Sequence, residues 1–142
     1  MNARHAALIV ALLATTGAAQ AADPVYLTLD HSTDSLLDKA GADAIWAESL
    51  SGKTAKLNKL YPVKKWGFVS QVEGGFTASK TCVVTARAMM MPVTMTKSLL
   101  FKPSKTATAF EALPGATREQ CQDAAKAKLK EAIAGVLSSL SN

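Results

Sequence analysis

From Trp66 to Met91 the chain alternates apolar and polar positions with a period of two, the pattern of strands that bury one face. The stretch "WGFVSQVEGGFTASKTCVVTARAMMM" predicts two strands around a turn at Glu73-Gly74-Gly75. Trp66, Phe68, Ser70 and Val72 share one face of the first strand. On the second, Cys82, Val84, Ala86, Ala88 and Met90 point one way, and Val83, Thr85, Arg87, Met89 and Met91 the other. The first of these sets is wholly apolar and is the expected core face. Pro92 ends the strand, because proline lacks the donor a ladder needs. "KSLLFKPSKTATAF" predicts a further hairpin turning at Lys102 to Lys105, which completes a four-stranded antiparallel meander.

On either side of this block the period changes to that of a helix. Leu36, Leu37, Ala40, Ala44, Ala47 and Leu50 approximate one stripe, with Ser32 or Thr33 as the cap and Gly41 as a weak point. "VYLTLDH", Val25 to His31, precedes it as a short strand or extended arm. After Pro114-Gly115, Cys121, Ala125, Leu129, Ile133, Val136 and Leu140 recur at helical spacing, and Thr117 with Gln120 has the spacing of a capping box. That stripe must bury itself, and the sheet is the large apolar surface on offer. The expected fold is α+β: a four-stranded antiparallel meander packed against a long C-terminal helix, with an N-terminal helical segment.

The first residues read as a targeting signal. Arg4 supplies a positive start, Ala6 to Ala14 an apolar run, and Ala19-Gln20-Ala21 a cleavage site. The run is shorter than the about 20 residues a membrane span needs. Residues 1–21 are therefore expected to be a signal peptide cleaved after Ala21, and residues 22–142 one periplasmic or secreted domain without a stable membrane span. In an oxidising compartment Cys82 and Cys121 are expected to pair. The bridge would tie the second strand of the meander to the first turn of the last helix.

Composition narrows the function classes. The chain is 49% hydrophobic and 19% charged, which excludes a disordered chain. A net charge of +5, one less without Arg4, is mildly basic; with export it speaks against nucleic acid and fits an acidic partner, an anionic glycan or a membrane surface. Lys53, Lys56, Lys59, Lys64 and Lys65 form the densest positive segment, with no acid among them. Leu57, Leu60 and Tyr61 lie within it and could dock it to the body.

Candidate chemistry is sparse. His31 is the one histidine beyond the signal, and its neighbour Asp30 would point to the opposite face of a strand, badly placed to orient its ring. No nucleophile elbow, phosphate loop or zinc-protease motif is present in the sequence. No catalytic residue and no cofactor are expected. "MMMPVTM", Met89 to Met95, gathers every methionine except the first. Soft thioethers suit Cu(I), and Met89, Met91 and Met95 are the candidate ligands, with Met90 assigned to the core. Alternatively Met89 and Met91, with Arg87 and Trp66, form an adaptable patch for a partner, or the N-terminal helix covers them as a second small core. The leading expectation is a non-catalytic exported binding or inhibitor-type protein that meets an envelope protein through a surface. A Cu(I)-binding protein and an accessory subunit of an envelope assembly are the alternatives.

Overall fold

The structure, a computed structural model, describes residues 24–141. The expected signal segment and its cleavage site lie outside the described residues. The elements run β1 (Leu27–Asp30), α1 (Lys39–Leu50), α2 (Thr54–Leu60), β2 (Trp66–Phe76), β3 (Thr81–Pro92), β4 (Lys105–Pro114) and α3 (Arg118–Ser139). The strands form one sheet in the order β1-β2-β3-β4, with the helices on one face. The α+β class and the long C-terminal helix on the sheet are as the sequence pattern implies.

The fourth strand is not the one expected. β1 supplies it, parallel to β2 with Leu27 opposite Gly67 and Asp30 opposite Ser70. A parallel neighbour requires a crossover, and α1 with α2 is that crossover. The stretch from Ser98 to Phe101 makes only an isolated bridge, Val93 with Leu99. Pro92 and Pro103 flank it, and Lys97 turns the chain with a positive φ of 59°. The β2–β3 turn also lies later than expected, at Thr77–Lys80, where Thr77 N–H donates to Thr81 O at 2.9 Å. Gly74 and Gly75 instead continue β2 with φ of 137° and 147°, and a Cβ at Gly74 would overlap the Val83 carbonyl. Only glycine fits a strand that bends this way.

The face of β3 with Cys82, Val84, Ala86, Ala88 and Met90 is the core face, each residue essentially inaccessible. α3 lays Cys121, Ala125, Leu129, Ile133 and Val136 on it. Its start is fixed by the capping box: Gln120 N–H donates to Thr117 Oγ1 at 3.2 Å and Thr117 N–H to Gln120 Oε1 at 2.8 Å. Cys82 and Cys121 form a disulfide, Cα atoms 5.7 Å apart, which ties α3 to β3. α1 is capped by Asp38, five or six residues past the expected cap at Ser32 or Thr33; the Thr33–Leu37 turn before it buries Leu36 and Leu37. Phe68 stands at the centre, its ring 5.0 Å from Trp46 of α1 and 5.1 Å from Tyr26.

Candidate functional site

Asp30 hydrogen-bonds two serines, and no hydrogen bond to the His31 ring is present among the described residues. The Asp30 carboxylate accepts from Ser32 Oγ at 2.7 Å and from buried Ser70 Oγ at 2.6 Å, while Ser32 Oγ accepts from Val72 N–H at 2.9 Å. This network fastens the end of β1 to β2, and it takes up the oxygens that would have steered the His31 ring. His31 itself is exposed.

The methionines separate in space. Met90 is in the main core, as its parity requires. Met89 and Met91 lie on the opposite face but are also buried, in a small cluster with Val69 and Leu99. The cover is not the N-terminal helix. It is the Val93–Ser104 loop, which folds back over the sheet and sets Leu99 on the two methionines. Gly67 permits this, because a Cβ there would come within 2.7 Å of both Leu99 Cδ2 and Leu27 O. Met95 is fully exposed at the tip of the loop and packs on nothing, so the three sulfurs do not converge. Arg87 is exposed on the uncovered part of the same face, and Trp66 is half-buried against Tyr61 on the other side of the sheet. Met89, Met91, Arg87 and Trp66 are thus not one patch.

A different surface assembles at the end of the sheet where β1, β2 and β4 begin and β3 ends. Three backbone hydrogen bonds fix the loop there: Val93 N–H to Lys65 O at 2.8 Å, Leu100 N–H to Pro92 O at 2.9 Å, and Ser104 N–H to Met90 O at 2.9 Å. Its hairpin tip is closed by Thr94 N–H to Ser98 O at 2.8 Å. Leu99 faces the sheet, so Leu100 and Phe101, next along the chain, are left outside at 51% and 66% exposure. Met95 is as exposed as a free side chain. Around them stand exposed Lys64, Lys65, Lys97, Lys102 and Lys105. α2, with Lys53, Lys56 and Lys59, leads into the same end through Tyr61, whose carbonyl accepts from Tyr26 Oη at 2.7 Å.

Among the described residues this end is cationic without relief. From Ser49 to Phe110 the only acid is Glu73. Every ion pair among the described residues uses Lys39, Lys126, Lys128 or Lys130, all on α1 and α3. Lys128, between Glu111 and Glu131, has its pKa raised by the hydrogen bond to Glu131 and by both carboxylates. Among the described residues the lysines of the sheet end have no such partner. Sequence reading found the lysines of the 53–65 segment but not Lys97, Lys102 and Lys105. The missed signal was Leu99-Leu100-Phe101, three apolar residues in succession that a strand with one buried face cannot all hide.

Two clefts lie nearby. One of about 230 Å³ separates Leu57 and Leu60 of α2 from Leu137 and Leu140. The other, about 310 Å³, is bounded by Tyr26, Trp46, Leu50 and Thr54. The second also carries Thr28, Asp43 and Ser51 on its walls. Among the described residues no helix is long and apolar enough to cross a membrane.

No protein-family model matches the chain, and no curated protein does. Among solved structures it is similar to a PelC dodecamer from Paraburkholderia phytofirmans, at 11% identity and a TM-score of 0.41 over 82% of this chain and 91% of that one. A point variant of the same dodecamer matches at 13% identity and a TM-score of 0.42, over 84% and 91%. Likeness at this level does not bear on what the chain does.

Proposed function

We propose that the chain is a non-catalytic, exported binding protein, resident in the periplasm, whose contact surface is the lysine-rich apolar end of the sheet and whose partner is a component of the cell envelope. One observation carries this reading: Met95, Leu100 and Phe101 stand exposed on a loop that is otherwise hydrogen-bonded in place, among cations that pair with no acid of the described residues. A folded domain rarely leaves several large apolar side chains of one short ordered loop exposed unless something covers them. The disulfide supports an oxidising compartment. The engagement of Asp30 with two serines supports a non-catalytic role. Burial of Met89 and Met91 away from Met95 weighs against Cu(I).

The reading is tested by binding of the exported protein to a washed envelope fraction. Leu100→Ser with Phe101→Ser is expected to reduce binding at least tenfold, since burying even one such apolar side chain contributes roughly 1.5–3 kcal/mol. Phe110→Ser, at a comparably exposed phenylalanine on β4 (60%), is expected to change it less than twofold. Equal losses from the two replacements, or a loss only with Phe110→Ser, would place the contact elsewhere.

A further inference from the structure

The partner at this end can be named by its chemistry. We infer that the lysine-rich apolar end docks on the surface of an anionic lipid bilayer, with Met95, Leu100 and Phe101 entering the headgroup region and the surrounding lysines meeting lipid phosphates. This rests on the proposed contact surface and deepens it.

Three features distinguish a bilayer from an acidic protein or a soluble polyanion. First, the apolar residues project and are not recessed. Met95 is at a hairpin tip and fully exposed, and Phe101 follows on the outer side of the same loop. A protein partner of a protruding tip must supply a pocket; an interface between headgroups and acyl chains accepts it as it is. Second, the charges are lysines. Lys64, Lys65, Lys97, Lys102 and Lys105 stand at this end, and the arginines of the described chain, Arg87 and Arg118, lie on the open sheet face and at the start of α3. Lysine is a point charge on a long apolar stem, suited to lie beside an inserted residue with its ammonium in the headgroups. Bidentate recognition of one carboxylate or phosphate would favour arginine instead. Third, the charge is laid out for a surface. The five lysines come from the turn before β2, the loop after β3 and the first residue of β4, three segments that the register brings to one end of the sheet. Among the described residues the acids are held at α1, α3 and the far end of the sheet.

The loop is also built to stay put on contact. Leu99 anchors it to Met89 and Met91, and the hydrogen bonds to Lys65, Pro92 and Met90 hold its two stems. Little ordering is then left to oppose binding. The buried methionines act here as the footing of the loop. Pro24, where the described chain begins, is at this same end, beside exposed Val25.

The experiment is co-sedimentation of the exported protein with phosphatidylcholine vesicles, and with vesicles containing phosphatidylglycerol. Partition is expected onto the anionic vesicles, at least tenfold above neutral ones, falling steeply between 0.05 and 0.5 M salt as screening shortens. Replacing Lys97, Lys102 and Lys105 by Gln is expected to lower partition at least tenfold, given about fivefold per lysine near an anionic surface. Phe101→Ser is expected to lower it several-fold, and Phe110→Ser to leave it unchanged. As a positive readout, Phe101→Trp is expected to blue-shift its emission on anionic vesicles and not with heparin. Failure to bind any vesicle would overturn the inference, as would equal binding to neutral ones. Binding to heparin or polyglutamate but not to vesicles would overturn it in favour of a soluble polyanion or an acidic protein. If vesicles fail while envelope binding still depends on Leu100 and Phe101, the lipid inference falls and the contact surface stands. If envelope binding is also indifferent to them, both fall.

Discussion

Phe68→Ala is expected to cost about 3–5 kcal/mol of stability, the range for deleting a fully buried aromatic ring. Phe68 is inaccessible, on an inner strand, stacked on Trp46 and edge-on to Tyr26. Those two partners come from α1 and from the residues leading into β1, so the ring joins the crossover to the sheet. The crossover makes few other contacts with β2: its close packing is with β1 and α3. Little can move in to fill the space, which puts the cost toward the upper end. At a few degrees per kcal/mol for a domain of this size, the melting temperature should fall by roughly 10–20 °C. Trp46 emission should shift to the red as its stacking partner is lost. A change below about 1 kcal/mol in a urea melt would mean that the aromatic cluster is not the centre of the core.

The second large effect belongs to the disulfide. Cys82 and Cys121 are 39 residues apart, and closing a loop of that size stabilises by about 3–4 kcal/mol on the loop-entropy account. Cys82→Ala with Cys121→Ala is expected to lose most of this. Both sulfurs are buried against the core, so the double alanine leaves a small void as well. The loss should appear as a lower urea midpoint with a steeper slope, because the unbridged unfolded chain exposes more surface. Alkylation with and without reductant, followed by mass spectrometry, checks the bond itself. Two thiols that alkylate in the unreduced, denatured exported protein would contradict it.

The bridge was legible in the sequence because compartment, count and spacing all pointed to it. The same holds for α3, where six apolar positions, a capping box and a Pro-Gly break agree with one another. The core face of β3 followed from strict alternation through Cys82, Val84, Ala86, Ala88 and Met90. What escaped was non-local. β1 is four residues long and pairs with β2 only after a two-helix crossover, and no short-range pattern records a parallel partner. Gly74-Gly75 looked like a hairpin turn because glycine at positive φ serves bends and turns alike. The candidate surface was half visible. Lys64 and Lys65 stood out as a run. Lys97, Lys102 and Lys105 join them only through the β2–β3 register, which sets Trp66 opposite Pro92 and returns the loop to Lys65. The methionine cluster misled for a related reason. Parity correctly put Met89 and Met91 opposite Met90, but it could not show that Leu99 would fold back over them.

Phe101 and Phe110 form a natural matched pair: the same residue, similarly exposed, one at the lysine-rich end and one on the open sheet face. Placing a photo-crosslinking phenylalanine analogue at each position in exporting cells tests the contact surface most directly. Adducts to an envelope component are expected from position 101, with position 110 near background. Adducts from position 110 and none from position 101 would contradict the assignment of the lysine-rich end as the working surface of this protein.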